Sequence, residues 1–172
     1  MTALPDGRFV VTWRDDGGDG SSSAIRGRIL NSDGTASAND FIVNIATASE
    51  QSLPSVTALP DGHIVVTWWS YDGGDGSASA IRGRILNSDG TASPNDFIVN
   101  TTAASEQIRP SVTALPDGRF VVTWYSFDGG DGSGSNIRGR ILNSDGTSSS
   151  TPQRRAIKTS PACRRRPTAA SW

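Results

Sequence analysis

The sequence predicts an all-β chain of tandem four-stranded antiparallel sheets, stacked as an incomplete β-propeller-like array of about three blades and followed by a disordered basic C-terminal tail. Three observations carry this expectation. The hexapeptide Thr-Ala-Leu-Pro-Asp-Gly, followed by an apolar run ending in Thr-Trp, starts at Thr2, Thr57 and Thr113. Each copy holds short strand-like runs separated by turns rich in glycine and aspartate. No stretch has the 3.6-residue apolar period of a helix.

The copies define the units. Residues 57–94 match 113–150 at 30 of 38 positions with an offset of 56. The first copy keeps that offset after Asp16 but lacks one residue between Trp13 and Asp16. Counted by this period, the units are residues 1–56, residues 57–112 and a shorter 113–150. The identity runs through solvent-facing and core-type positions alike, so it reports duplication and does not single out functional residues.

Within a unit, Pro110 to Leu115 reads as the first strand. Pro116-Asp117-Gly118 then turns the chain, because proline sets φ at one corner and glycine permits positive φ at the next. Arg119 to Tyr125 is the second strand, with Phe120, Val122 and Trp124 on one face and Val121, Thr123 and Tyr125 on the other. A strand apolar on both faces needs a layer on both sides. The loop Asp128 to Ser135 is too rich in glycine to hold a strand.

Asn136 to Leu142 is the third strand, closed by the hairpin signal Asn143-Ser-Asp-Gly146. The fourth is Phe41-Ile-Val43 or Phe97-Ile-Val99, and a polar linker such as Asn100 to Arg109 leads onward. Four strands in 56 residues with two apolar faces describe a propeller blade packed between neighbours. The coils of a parallel β-helix are far shorter, and β-sandwich units are longer, at about 100 residues.

Charge separates the repeats from the C-terminal tail. Residues 1–150 hold ten arginines, no lysine and all 17 acids, whereas residues 151–172 hold Arg154, Arg155, Lys158, Arg164, Arg165, Arg166 and no acid. The second unit continues Asn95-Asp-Phe-Ile-Val-Asn100 where the third reads Thr151-Pro-Gln-Arg-Arg-Ala156. This tail lacks alternation and reads as disordered. The abrupt change of composition is what a shifted reading frame or a gene break produces, so the expectation is a fragment of a longer repeat protein.

No aromatic interleaves with the tail arginines and the body is acidic, so nucleic acid is not an expected partner. The sole cysteine, Cys163, rules out a disulfide framework or cysteine-based zinc site in the repeats. No segment approaches the roughly 18 apolar residues of a membrane span, and no signal peptide is visible.

The strongest chemical candidates are aspartates beside glycines: Asp16 and Asp19, Asp72 and Asp75, Asp128 and Asp131. Calcium takes six to eight oxygens, and a glycine-rich loop can gather carboxylates and carbonyls around such a cation. The competing reading is a solvated turn in which each aspartate caps its own backbone. Asp33, Asp89 and Asp145 in Asn-Ser-Asp-Gly, and Asp6, Asp61 and Asp117 in Pro-Asp-Gly, are turn residues first. Trp13, Trp68 and Trp124 are expected between blades. Trp69, Tyr71, Tyr125 and Phe127 lie at a strand end, where they either pack on the rim or stack on a sugar ring.

His63 stands where Arg8 and Arg119 stand and is an exposed basic position. The arginines of Ile-Arg-Gly-Arg-Ile, such as Arg82 and Arg84, find their simplest partners in aspartates of adjacent turns. No histidine is placed to serve a serine, and the two glutamates, Glu50 and Glu106, sit in linkers. The expectation from this inventory is a protein that is not an enzyme.

Leu-Pro-Asp-Gly-x-Phe-Val-Val-Thr-Trp, then Asp-Gly-x-Asp-Gly-Ser, Ile-x-Gly-Arg-Ile-Leu and a Phe-x-Val-Asn strand, resembles repeats of large secreted bacterial proteins of the haemolysin-type, repeats-in-toxin calcium-binding class. The resemblance covers residues 1 to about 147. It implies an extracellular or cell-surface setting, type I export and calcium association. The chain departs from that class in lacking a full nonapeptide array and a C-terminal export signal.

The expected function is a non-catalytic repeat module of a secreted or cell-surface, calcium-associated adhesin-like or toxin-like protein. The alternative is a multivalent carbohydrate-binding propeller that meets cell-surface glycans through Trp69, Tyr71, Tyr125 and Phe127. A third reading gives the fragment no function of its own. Three blades leave exposed faces and strand edges, for which self-association is the expected outcome.

Overall fold

In the computed structural model the residues described are 1–17, 20, 22–37, 39–45, 49–72, 75–76, 79–101, 105–129, 132 and 134–149. The basic tail and Cys163 therefore lie outside the described residues. Sheet I is built from β1 (Thr2–Ala3), β2 (Phe9–Asp15), β3 (Ala24–Leu30) and β4 (Phe41–Ile42). Sheet II contains β5 (Gln51–Ala58), β6 (Ile64–Ser70), β7 (Ala80–Leu86) and β8 (Phe97–Ile98). Sheet III contains β9 (Gln107–Ala114), β10 (Phe120–Ser126) and β11 (Asn136–Leu142).

Every described pairing is antiparallel and between strands adjacent in sequence, so each sheet is a local meander and none borrows a strand from another. The chain is all-β, an incomplete propeller-like array. No helix among the described residues is long and apolar enough to cross a membrane.

The turns form for the reasons their residues give. Leu4 N donates to Arg8 O at 2.8 Å and Gly7 N to Leu4 O at 3.1 Å, with Gly7 at φ 87°. In the later hairpin Asp33 Oδ1 accepts from Thr35 N at 2.9 Å and from Thr35 Oγ1 at 2.7 Å. The same pattern recurs at Asp89 and Asp145. These aspartates hold turns.

The first strand of a unit is longer than alternation indicates, because β5 and β9 begin at Gln51 and Gln107 within stretches read as linkers. Pairing slips between Ser52 and Ser55, and in sheet III between Thr123 and Tyr125, so two residues face Trp68 and two face Trp124. Leu53 and Arg109 occupy these bulges at φ 55° and 54°. A bulge breaks the period of two, and the strand starts are hidden from alternation for that reason. The period boundaries at 56/57 and 112/113 fall inside β5 and β9, so the sheets are cut earlier than the repeats.

Packing between sheets supplies the two layers that the second strand requires. Ile64, Val66 and Trp68 of β6 pack against Val10, Ile25, Ile29 and Val43 of sheet I. Val65 and Ile81 pack the other way, against Phe120, Val122 and Trp124 of sheet III. These five side chains of sheet II are fully buried. Each contributes about 1.5–3 kcal/mol of hydrophobic stabilisation.

Two contacts fix one sheet against the next. The Phe41 ring lies where a Cβ on Gly27 would be 2.6 Å away and one on Gly90 of sheet II 2.7 Å away. Phe97 sits in the same way between Gly83 and Gly146. Arg84 Nη1 donates to Val43 O, and Arg140 Nη1 to Val99 O, both at 2.7 Å. These arginines therefore bind carbonyls of the preceding unit, whereas the sequence points to aspartate partners.

Candidate functional site

The end of each second strand is tied to the residue before the first strand of its unit. Tyr71 N donates to Glu50 O at 2.9 Å and Phe127 N to Glu106 O at 3.1 Å. Strand alternation turns Trp68 toward sheet I and leaves Trp69 and Tyr71 on the opposite side. Their ring centroids are 6.0 Å apart with planes tilted by 41°. Tyr71 is 55% exposed, while the Trp69 Nε1 is buried with no hydrogen-bond partner among the described residues.

In sheet III, Tyr125 and Phe127 take the corresponding places and are each 42% exposed. Sheet I differs. Arg14 stands in the register of Trp69, opposite Ile25, and binds Asp16 Oδ1 at 2.9 Å and Glu50 Oε1 at 2.8 Å. The structure thus brings two of the four aromatic candidates into one ring pair and repeats an exposed pair one unit on.

The loop aspartates are placed differently from one another. Asp72 Oδ2 is 2.6 Å from Arg82 Nε, whose Nη1 is 3.2 Å from Asp96 Oδ1. Asp75 Oδ2 accepts from Asn100 Nδ2 at 2.5 Å. Asp128 is ion-paired with Arg138 and accepts from Asn136 Nδ2 at 2.8 Å. Asp16 pairs with Arg14 in the open. Asp19 and Asp131 lie outside the described residues.

Among the described residues no three acids, histidines or cysteines converge on one point. The loop carboxylates of Asp16, Asp72, Asp75 and Asp128 are each engaged by a guanidinium or side-chain amide.

Sequence reasoning missed a set of buried polar residues in the linkers. Gln51 Oε1 accepts from Trp68 Nε1 at 2.8 Å, and Gln107 Oε1 from Trp124 Nε1 at 2.8 Å. Asn44 Oδ1 accepts from Ile25 N at 2.7 Å, and Asn100 Oδ1 from Ile81 N at 2.8 Å. The available signal was repetition of Ser-Glu-Gln and Val-Asn at one fixed offset in linkers that otherwise differ.

An open concavity of about 390 Å³ lies where the three Ala-Leu-Pro triplets beginning at Ala3, Ala58 and Ala114 converge. Its lining side chains are all apolar, so polar contacts there come from the backbone alone.

No protein-family model and no curated protein matches the chain. Solved structures do match in fold. A protein of unknown function from Dyadobacter fermentans gives a TM-score of 0.59 at 16% identity, covering 83% of this chain and 36% of its own. A thermostable family-43 glycoside hydrolase gives 0.55 at 16%, covering 89% and 59%. An endo-arabinase from Bacteroides thetaiotaomicron gives 0.50 at 15%, covering 79% and 52%. The chain spans between about a third and three-fifths of the length of these proteins.

This likeness defines the class, a β-propeller-like repeat protein. It also corrects one expectation, that the protein is not an enzyme. The fold is one that an endo-arabinase and a family-43 glycoside hydrolase use. The inventory weighed histidine, cysteine and glutamate and assigned the aspartates to turns or calcium, without asking how the units place them. A propeller-like array gathers side chains from separate units around an axis, so sequence spacing inside a unit does not test for catalysis.

Proposed function

We propose that this chain is part of a carbohydrate-recognising β-propeller-like protein, with Trp69 and Tyr71, and one unit on Tyr125 and Phe127, as the sugar-stacking surface. The observation that carries the reading is the Trp69–Tyr71 ring pair, 6.0 Å between centroids, with Tyr71 more than half exposed at a strand end. Flat aromatic rings offer apolar area to a sugar face at little conformational cost.

The glycoside hydrolase and the endo-arabinase among the structural neighbours support carbohydrate as the ligand class. The repeat's resemblance to secreted bacterial proteins supports an extracellular setting, where polysaccharide is met. The test is retention on a glycan array and on soluble arabinan, repeated with Tyr71→Ala and Tyr125→Ala. Loss of one ring is expected to weaken binding about tenfold, about 1.4 kcal/mol. A blank array, or binding that ignores both substitutions, overturns the proposal. Reducing ends released from a bound glycan distinguish a hydrolase from a binding module.

A further inference from the structure

We infer that the outer face of sheet III docks onto the outer face of sheet I of a second copy of this chain, continuing head to tail the contact that joins the sheets within one copy. The face shares Tyr125 with the sugar-stacking proposal, but the contact is argued from Val121, Ile137 and Ile141, which that proposal does not use.

The internal contact is made twice by the same two faces. One is the face carrying Ile64, Val66, Trp68 and Leu86 in sheet II, and Phe120, Val122, Trp124 and Leu142 in sheet III. All eight are at most 4% exposed. The other carries Val10, Ile25 and Ile29 in sheet I, and Val65, Ile81 and Ile85 in sheet II. Face meets unlike face at both junctions, so the contact is heterologous.

Each type of face occurs once more with no described residue against it. On sheet I the first type is Phe9, Val11, Trp13 and Leu30, only half-buried where their counterparts are sealed. Gly34, the equivalent of Gly90 and Gly146, has no atom within 4 Å of a Cβ position, whereas each of those two meets a phenylalanine ring. On sheet III the second type is Val121, Tyr125, Ile137 and Ile141. Ile137 is 51% exposed, although its counterparts Ile25 and Ile81 are fully buried.

Polar groups match as well. Ser55 Oγ accepts from Val112 N at 3.1 Å and Thr57 Oγ1 from Ala114 N at 3.3 Å across the II–III junction. Their equivalents on β9, Ser111 and Thr113, are exposed. By the same register Thr113 Oγ1 meets Ala3 N of the second copy. Because the repeats are near-identical, the occupant that fits the sheet III face is another sheet of this repeat, and the unpaired one is sheet I. Two copies supply six sheets, within the range of about four to eight that closes a propeller.

The experiment is light scattering on the full chain across a broad concentration range, with Val11→Glu on sheet I and Ile137→Glu on sheet III. The wild type is expected to gain mass with concentration, as a closed dimer or a longer head-to-tail series. Each variant alone is expected to remain monomeric and to melt like the dilute wild type. Mixed together they are expected to form a one-to-one dimer, since the mixture retains one intact contact.

A wild type that stays monomeric at every concentration overturns the inference. So does association blocked by Ile137→Glu but untouched by Val11→Glu, which marks a two-fold contact of like faces. A loss of monomer stability in Ile137→Glu also overturns it, since Ile137 then packs within its own chain.

Discussion

The indole Nε1–H of Trp68 is bonded to Gln51 Oε1 at 2.8 Å, and the backbone of that same Gln51 is clasped by Ser23 of the preceding sheet. Gln51 N donates to Ser23 Oγ and Ser23 Oγ donates to Gln51 O, both at 3.0 Å. Trp68 is fully buried against sheet I. One residue at the start of β5 thus fixes the bulge, the inter-sheet tryptophan and the junction with sheet I. Gln107, Trp124 and Ser79 repeat the arrangement one unit on.

Replacing Gln51 by leucine keeps the apolar bulk but leaves a buried indole donor without an acceptor. Such an orphan costs about 1–3 kcal/mol, and at about 2–4 °C per kcal/mol a chain of this size melts several degrees lower. Circular dichroism of Gln51→Leu and Gln107→Leu is expected to show that fall in both. An unchanged melting temperature in either contradicts this role for the glutamine.

The contrast between the second strands and the linkers says how far the sequence could be read. Phe120, Val122 and Trp124 alternate with Val121 and Tyr125, and that alone required a layer on each side, which the buried β6 has. Turns were legible because Asp and Gly there act on their own backbone, as Asp33 does with Thr35. Gln51, Asn44 and Ser23 were not legible. Their partners lie across a sheet junction, and a polar residue in a polar linker or loop looks the same whether it faces water or a buried indole. The rim at Trp69 and Tyr71 was legible as residues, but its exposure depended on how the units stack.

Gly90 and Gly34 hold the same hairpin position at φ 87° and 84°, but only Gly90 faces a ring, that of Phe41. Alanine at Gly34 costs the left-handed conformation alone, about 1–2 kcal/mol. Alanine at Gly90 also displaces Phe41 from between two sheets, a further cost of about 1–3 kcal/mol. Denaturant unfolding of the two variants is expected to rank them in that order. A Phe41→Leu change made in the Gly90→Ala background is expected to recover part of the difference, and equal losses at both glycines contradict the inter-sheet role of Phe41.

The hairpin carboxylates give stability an acid limb. The Thr35, Thr91 and Thr147 hydroxyls hold the carboxyls of Asp33, Asp89 and Asp145 below the ordinary carboxylate value, with help from the backbone amides. Arg8 and Arg119 do the same for Asp6 and Asp117. Below the ordinary value of about 3.9 the unfolded chain therefore binds more protons than the folded one. The stabilisation is complete above that pH and is lost as the pH falls through the lower folded values. Melting temperature measured from neutral to acid is expected to drop in this window. With asparagine at 33, 89 and 145 the drop is expected to be shallower, and an identical profile contradicts the assignment.

Arg82 separates a pair that matters from pairs that do not. Its guanidinium serves Asp72 at 2.6 Å and Asp96 at 3.2 Å, with side chains 15%, 9% and 12% exposed. Methionine there removes the guanidinium shared by two nearly buried carboxylates, a loss of about 3–5 kcal/mol. Arg14, which pairs with Asp16 and Glu50, lies among side chains 41% exposed or more, and its replacement by methionine is expected to cost about 0–1 kcal/mol. Lysine at position 82 cannot span both acids with a planar fork, so Arg82→Lys is expected to fall between the two. Urea unfolding checks the order. An Arg82→Met loss as mild as that of Arg14→Met contradicts the assignment, since the Asp72–Arg82–Asp96 contact would then contribute no more than an exposed pair.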